Sequence, residues 1–178
     1  MICYLGTDAT GNVDDHDEDR PSPSVRLYVP PDIDASSEAW GANCGPCSLA
    51  ALLGKPVSEV RALFVDFDRK RYVNPTQMKA ALALATAKFT AIGPRWPGRG
   101  LVFVQFRGSW DSQSVFVQYR HTHWITVNGP AVFDVNAGHW VSRSDWEDPE
   151  NGVAAWIASN TPGATGPWFV RSGIEVPS

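Results

Sequence analysis

Trp40-Gly41-Ala42-Asn43-Cys44-Gly45-Pro46-Cys47-Ser48-Leu49-Ala50-Ala51-Leu52-Leu53 is the stretch on which the reading of this chain turns. Asn43 suits a helix N-cap, Leu49 to Leu53 is apolar, and Gly54 and Pro56 stop the run. Cys44 therefore opens a short apolar helix, where free backbone N–H groups and the helix dipole favour a thiolate. Three chemistries use such a cysteine. A nucleophile needs a histidine from elsewhere in the chain. A dithiol redox centre would use Cys44 and Cys47 as C-x-x-C. A zinc site would combine both cysteines with His121 and His123.

The 178 residues suffice for one well-buried domain and not for two ordinary ones. With 43% hydrophobic and 19% charged residues, the composition is globular. A net charge of −4 argues against a broad nucleic-acid surface, and the one basic run, Arg69-Lys70-Arg71, reads as a solvated turn. No apolar run approaches the ~20 residues of a membrane helix. Met1 to Leu5 lacks the basic-then-apolar pattern of a signal peptide. Three cysteines make an odd number for a secreted disulfide framework, so a reducing, cytoplasmic setting is expected. No nucleic-acid partner, membrane partner or cofactor is expected. Nor is a metal, since a core of this size does not need a zinc staple. The eight tryptophans are expected to fill the core and line a cleft, with Trp40 and Trp124 at the cleft.

Residues 1–39 read as an N-terminal extension. It holds a solvated acidic loop, Asp14 to Asp19, and one strand, Val25 to Val29. Residues 40–178 read as a single domain, with helices over about 44–88 and a sheet over about 101–176. Ser58 is placed to cap a second helix with Val60, Leu63 and Phe64 on one face. Asn74-Pro75-Thr76 starts a third, which carries Met78, Ala81, Leu82 and Ala85 to about Ala87. Ile92 to Gly100 is expected to be a loop. Strands are predicted at Leu101–Phe106, Val115–Tyr119, His123–Val127 and Ala131–Val135, with a hairpin at Asn128-Gly129. Ser144 is expected to cap a last helix through Trp156 and Ile157, and closing strands are predicted at 168–170 and 174–176. Helices first and an antiparallel sheet second is an α+β order.

A cysteine nucleophile requires a base and a group that orients the base. Of the four histidines, His16 lies in the acidic loop and His139 follows a glycine. His121 and His123 flank Thr122 at a strand start, where residues two apart share a face. Across the predicted hairpin, Asp134 or Asn136 can stand beside one of those rings. Cys44, His123 and Asp134 make a coherent set.

These residues, in this order, resemble the papain-like cysteine peptidases, and more closely the branch that cuts bacteriocin precursors after double-glycine leaders. The matching segments are Asn43-Cys44-Gly45-Pro46 with Leu49 to Leu53, His123-Trp124-Ile125-Thr126-Val127, and Asp134-Val135. The chain is also similar to uncharacterised phage- and prophage-encoded proteins. That likeness rests on Asn43 to Pro46, Asn74 to Thr76, His121 to Trp124 and Phe133 to Asn136, and it carries no known activity. The resemblance implies a helical part packed on an antiparallel sheet, with Cys44 as nucleophile, His123 as base and Asp134 as orienter. Cys47 then occupies a small buried position, Asn136 is a substitute orienter, and His121 lines the pocket. Papain-like enzymes carry an oxyanion-binding Gln where this chain has Glu38, an acceptor when ionised. The Cys44 backbone N–H is one substitute donor, and Asn43 or Gln105 the other. Cys44-Gly45-Pro46-Cys47 also matches the thioredoxin motif, but polar, turn-like Asp34 to Glu38 precedes it where a thioredoxin has an apolar strand. The expected function is hydrolysis or acyl transfer at a peptide or amide bond, with a peptide or protein substrate. One alternative is a non-catalytic papain-like protein that binds a host protein; a second is a thioredoxin-like redox protein using Cys44 and Cys47.

Overall fold

Leu101-Val102-Phe103-Val104 is apolar at every position, the pattern of a strand covered on both faces. In the computed structural model, which describes residues 27–177, this run is the centre of β2 (Arg99–Gly108). Its neighbours are β6 (Ala164–Glu175) and β3 (Thr122–Asn128). β1 (Thr90–Gly93) extends the sheet beyond β6, and β4 (Ala131–Asp134) and β5 (His139–Ser142) extend it beyond β3. The order is β1-β6-β2-β3-β4-β5 with every pair antiparallel. The class is α+β, with helices concentrated toward the N-terminal part and strands toward the C-terminal part.

Alternation along the strands divides the core in two. Leu101, Phe103, Trp124 and Phe133 belong to one cluster. That cluster also holds residues of α2 (Cys44–Leu53), α4 (Phe67–Lys70) and α5 (Pro75–Leu84). Val102, Val104, Ile125 and Val132 belong to the other, with Trp146 of α7 (Arg143–Glu147) and Ala154 of α8 (Val153–Ser159). The helix α2 is apolar nearly all round and buried from Gly45 to Leu52, as such a helix must be. Two reciprocal buried bonds dock it on β3. Ser48 Oγ donates to the Trp124 carbonyl at 2.9 Å, and Thr126 Oγ1 donates to the Ser48 carbonyl at 2.6 Å.

Several expectations are met at residue level. Asn43 caps α2, its side chain accepting from the Gly45 N–H, and Gly54 closes the helix in the left-handed conformation. Asn74 and Gln77 form a reciprocal capping box with Pro75 at the first helical position of α5. The expected β3–β4 hairpin forms, but its two-residue connection is Gly129-Pro130, one position beyond the expected Asn128-Gly129, because Asn128 still pairs with Ala131.

Other expectations need correction. The segment Val115–Tyr119 is α6 (Val115–Gln118) followed by a 3-10 turn over Tyr119–His121. Both sides of β2 are already taken, so this connection has no sheet edge to join. Residues 27–30 form no strand; the Tyr28 carbonyl instead accepts from Trp140 Nε1 at 2.9 Å. Polar 33–40 is a helix, α1 (Ile33–Trp40). Ser58 does not cap α3 (Val57–Val60). The carboxylate of Asp32 reaches across and accepts from the Val57 and Ser58 N–H groups at 2.7 and 2.9 Å. These contacts tie Tyr28 and Asp32 to the residues that follow position 40.

Strand β1 and the start of β2 occupy both ends of the expected 92–100 loop. The predicted last helix is two, α7 and α8, split at Pro149 to Gly152 and capped by Ser142 rather than Ser144. The two closing strands are one, β6, because a bulge absorbs the break between them. His16, the acidic run and the start of the predicted 25–29 strand lie outside the described residues.

Candidate active site

Asn43 and Trp124 precede and follow the two residues that matter most, and one strap holds both. Asn43 Nδ2 donates to the Arg71 carbonyl at 2.9 Å, and Trp124 Nε1 donates to the Val73 carbonyl at 2.7 Å. Gly45 lies so close to Val73 that an added Cβ would meet its Cγ2 at 2.7 Å, which explains the glycine after Cys44. The strap and the Ser48–Thr126 docking bring Cys44 against the start of β3. There the thiol lies beside the His123 ring and the Trp124 backbone N–H, the groups that favour its ionised form.

The imidazole is buried, and its Nε2 lies 2.9 Å from Asp134 Oδ1. With Nε2 committed to that carboxylate, Nδ1 is the ring nitrogen that serves the thiol. Asp134 is fully buried, a costly place for a charge unless it is well paired. It has four donors. His123 Nε2 and the Asn136 backbone N–H (2.8 Å) and Nδ2 (3.1 Å) converge on Oδ1, and Trp146 Nε1 reaches Oδ2 at 2.8 Å.

The electrostatics follow from this packing. For Cys44 burial alone would raise the thiol, but the His123 charge and hydrogen bond, with the Trp124 N–H, outweigh it and lower the thiol below its ordinary 9.0. For His123 burial works against the proton, and Asp134 and Cys44 together raise the ring well above 6.5. Burial also opposes the Asp134 charge, and His123, Trp146 and the Asn136 N–H hold it below 3.8 regardless. The arrangement favours a thiolate–imidazolium pair on a half-buried sulfur. Cys47 differs. It is fully buried, and desolvation with the Cys44 and Asp32 charges pushes its thiol up to about 12.

The remaining predicted residues are placed as follows. Asn136 does not orient the ring. Its Nδ2 lies 3.4 Å from His123 Nε2, but both are donors sharing Asp134 Oδ1, so Asn136 positions the carboxylate. His121 ends a 3-10 turn instead of sharing a strand face with His123, and it stacks flat on Trp110 at 3.5 Å between ring centres. Trp40 and Trp124 are buried core residues rather than cleft walls: Trp40 packs edge-on to Phe67, and Trp124 against Phe103. Glu38 is exposed on α1. Asn43 spends its amide on the helix cap and the Arg71 tie. Gln105 is buried on β2, beside Thr122 of β3, with its Oε1 held by Arg171 Nη1. That contact fixes which end of the amide is oxygen and leaves Nε2 as the free donor.

Two residues went unread in the sequence, Trp146 and Arg171. A buried indole N–H needs a partner, but nothing local to Trp146 points to Asp134. Cavity size does not mark the site: depressions of about 610 and 540 Å³, the first beside Arg61 and Asp68 and the second beside Pro149 and Trp168, contain none of Cys44, His123 and Asp134. Among the described residues, no three His, Cys, Asp or Glu side chains are grouped to hold a metal. Comparison with protein-family models, with curated proteins and with solved structures finds no match.

Proposed function

We propose that the protein is a papain-like cysteine hydrolase or acyl transferase acting on a peptide or amide bond. One observation carries this reading. A half-buried thiol at a helix N-terminus meets an imidazole whose far nitrogen is bonded to a fully buried carboxylate. A structural cysteine needs no such relay, whereas a nucleophile does. In the proposed cycle the Cys44 thiolate attacks the carbonyl carbon and the carbonyl electron pair moves onto oxygen. The Cys44 backbone N–H, in the first turn of α2, and Gln105 Nε2 are the candidate donors to that oxyanion. The imidazolium of His123 protonates the departing amine as the C–N bond breaks. His123, now neutral, then takes a proton from water or an amine that attacks the thioester and frees Cys44. Asp134 stays ionised and holds the ring throughout.

The test is p-nitrophenyl acetate with intact-mass detection. The reading expects a burst of nitrophenol matched by one acetyl group on Cys44, with slow release that depends on His123. Absence of acyl transfer to Cys44 contradicts it. A Cys44–Cys47 disulfide that forms without reductant and exchanges with added thiols would favour the redox alternative.

A further inference from the structure

Strand β6 carries a bulge beside the site. Phe103 pairs with Ser172 while the next residue of β2, Val104, pairs with Val170, so Arg171 is the extra residue. Bulges re-aim side chains, and this one turns Arg171 onto the face covered by α2. There its guanidinium lies 4.5 Å over the Tyr119 ring, and Nη1 donates to Gln105 Oε1 and, at 3.3 Å, to Gln118 Oε1. Both acceptors are neutral, so they orient the cation without quenching it. No carboxylate of a described residue pairs with it. Nε and Nη2 have no acceptor among the described residues, and together these two form the fork that matches a carboxylate.

The location is functional. Gln105 stands opposite Thr122, the residue before His123. With strands ~4.8 Å apart, the guanidinium lies on the order of 10 Å from the thiol. An extended peptide rises ~3.4 Å per residue, so its reach is about three residues from the attacked bond. We propose that Arg171 is the anchor of a carboxylate-binding subsite, held by Gln105, Gln118 and Tyr119, that selects substrates with an acidic group near the bond cut by Cys44. This rests on the nucleophile reading above. The carboxylate is either an acidic side chain or a chain terminus.

Three thiol-alkylating probes test it on the full chain: iodoacetyl-glycyl-glutamate α-amide, its neutral glutamine counterpart, and iodoacetyl-diglycine. Each loses iodide as the Cys44 sulfur bonds to its methylene carbon. The expected result is a saturable preference of roughly tenfold for an acidic probe over the neutral one, the size of a charge-assisted contact. The favoured acidic probe identifies the carboxylate source. Arg171→Gln should reduce the preference, taken as the ratio of acidic to neutral rates within the same variant, to within about twofold. Gln118→Glu, which sets an internal carboxylate on Nη1, should do the same if Arg171→Gln fails to fold. No preference in the wild type, or a preference that survives both substitutions and so belongs to the His123 imidazolium, overturns the subsite. A neutral-probe rate no faster than an ordinary thiol contradicts the nucleophile reading and removes the subsite with it. An ordinary accelerated neutral rate without acid preference removes the subsite alone.

Discussion

Asp134 concentrates the energetic risk of this site into one side chain. Its four donors offset the cost of a buried charge, and each depends on it in turn. Asp134→Ala should cost about 3–5 kcal/mol, since it strands a buried imidazole and an indole N–H together. Urea denaturation with an unchanged m-value checks this. Trp146→Phe removes one charge-assisted bond to that carboxylate and should cost about 1.5–3 kcal/mol. It should also raise the Asp134 carboxyl and lower the rate of Cys44 acylation, while the same substitution at exposed Trp156 should do neither. The central residues of the site were legible in the sequence because Cys44, His123 and Asp134 each sit at a recognisable place: a helix mouth, a strand start and the strand after a tight turn. Trp146 was not, because its partner Asp134 lies 12 positions earlier, on the far side of β5 in the chain. Arg171 was not, because only the bulge brings it to the α2 face. The misread histidine, His121, shows the limit of face arguments: the strand begins one residue later, so the two-residue spacing lost its meaning.

Elements place these residues through a few long-range bonds. The Ser48–Thr126 exchange sets where α2 lies along β3, and with it the position of Cys44 one turn earlier. Ser48→Ala should cost about 1 kcal/mol in stability and lower Cys44 reactivity more than a comparable loss elsewhere, as measured by alkylation rate against melting temperature. Asp32→Ala removes the cap of α3 and should cost about 1–2 kcal/mol without altering Cys44 reactivity. The elements most legible in the sequence were those with local signals, such as the Asn43 cap and the Asn74–Gln77 capping box. Misreadings fell where distant partners decide. Asp32 caps a helix that begins 25 positions on, and Val115-Phe116-Val117 has strand composition but no strand to pair with.

At the scale of the whole molecule, the buried His123–Asp134 pair ties stability to pH. The raised His123 value contributes stability that is complete below 6.5 and is lost as pH rises through the folded value. The lowered Asp134 value contributes stability that is complete above 3.8 and is lost as pH falls through its folded value. Their joint contribution should therefore be fullest between 3.8 and 6.5, and His123→Ala should flatten the decline on the alkaline side in melts across pH. The order of helices and sheet was readable from periodicity; how Tyr28 meets β5 was not, since Tyr28 and Trp140 are joined only in three dimensions. The most direct test of the Cys44–His123 relay is the pH dependence of iodoacetamide labelling, mapped to each cysteine, in the wild type and in His123→Ala. The account predicts that the Cys44 labelling profile is centred below pH 9.0, that fully buried Cys47 stays unlabelled in the folded protein, and that His123→Ala moves the Cys44 profile upward. A Cys44 profile centred at or above 9.0, or one indifferent to His123, would contradict it.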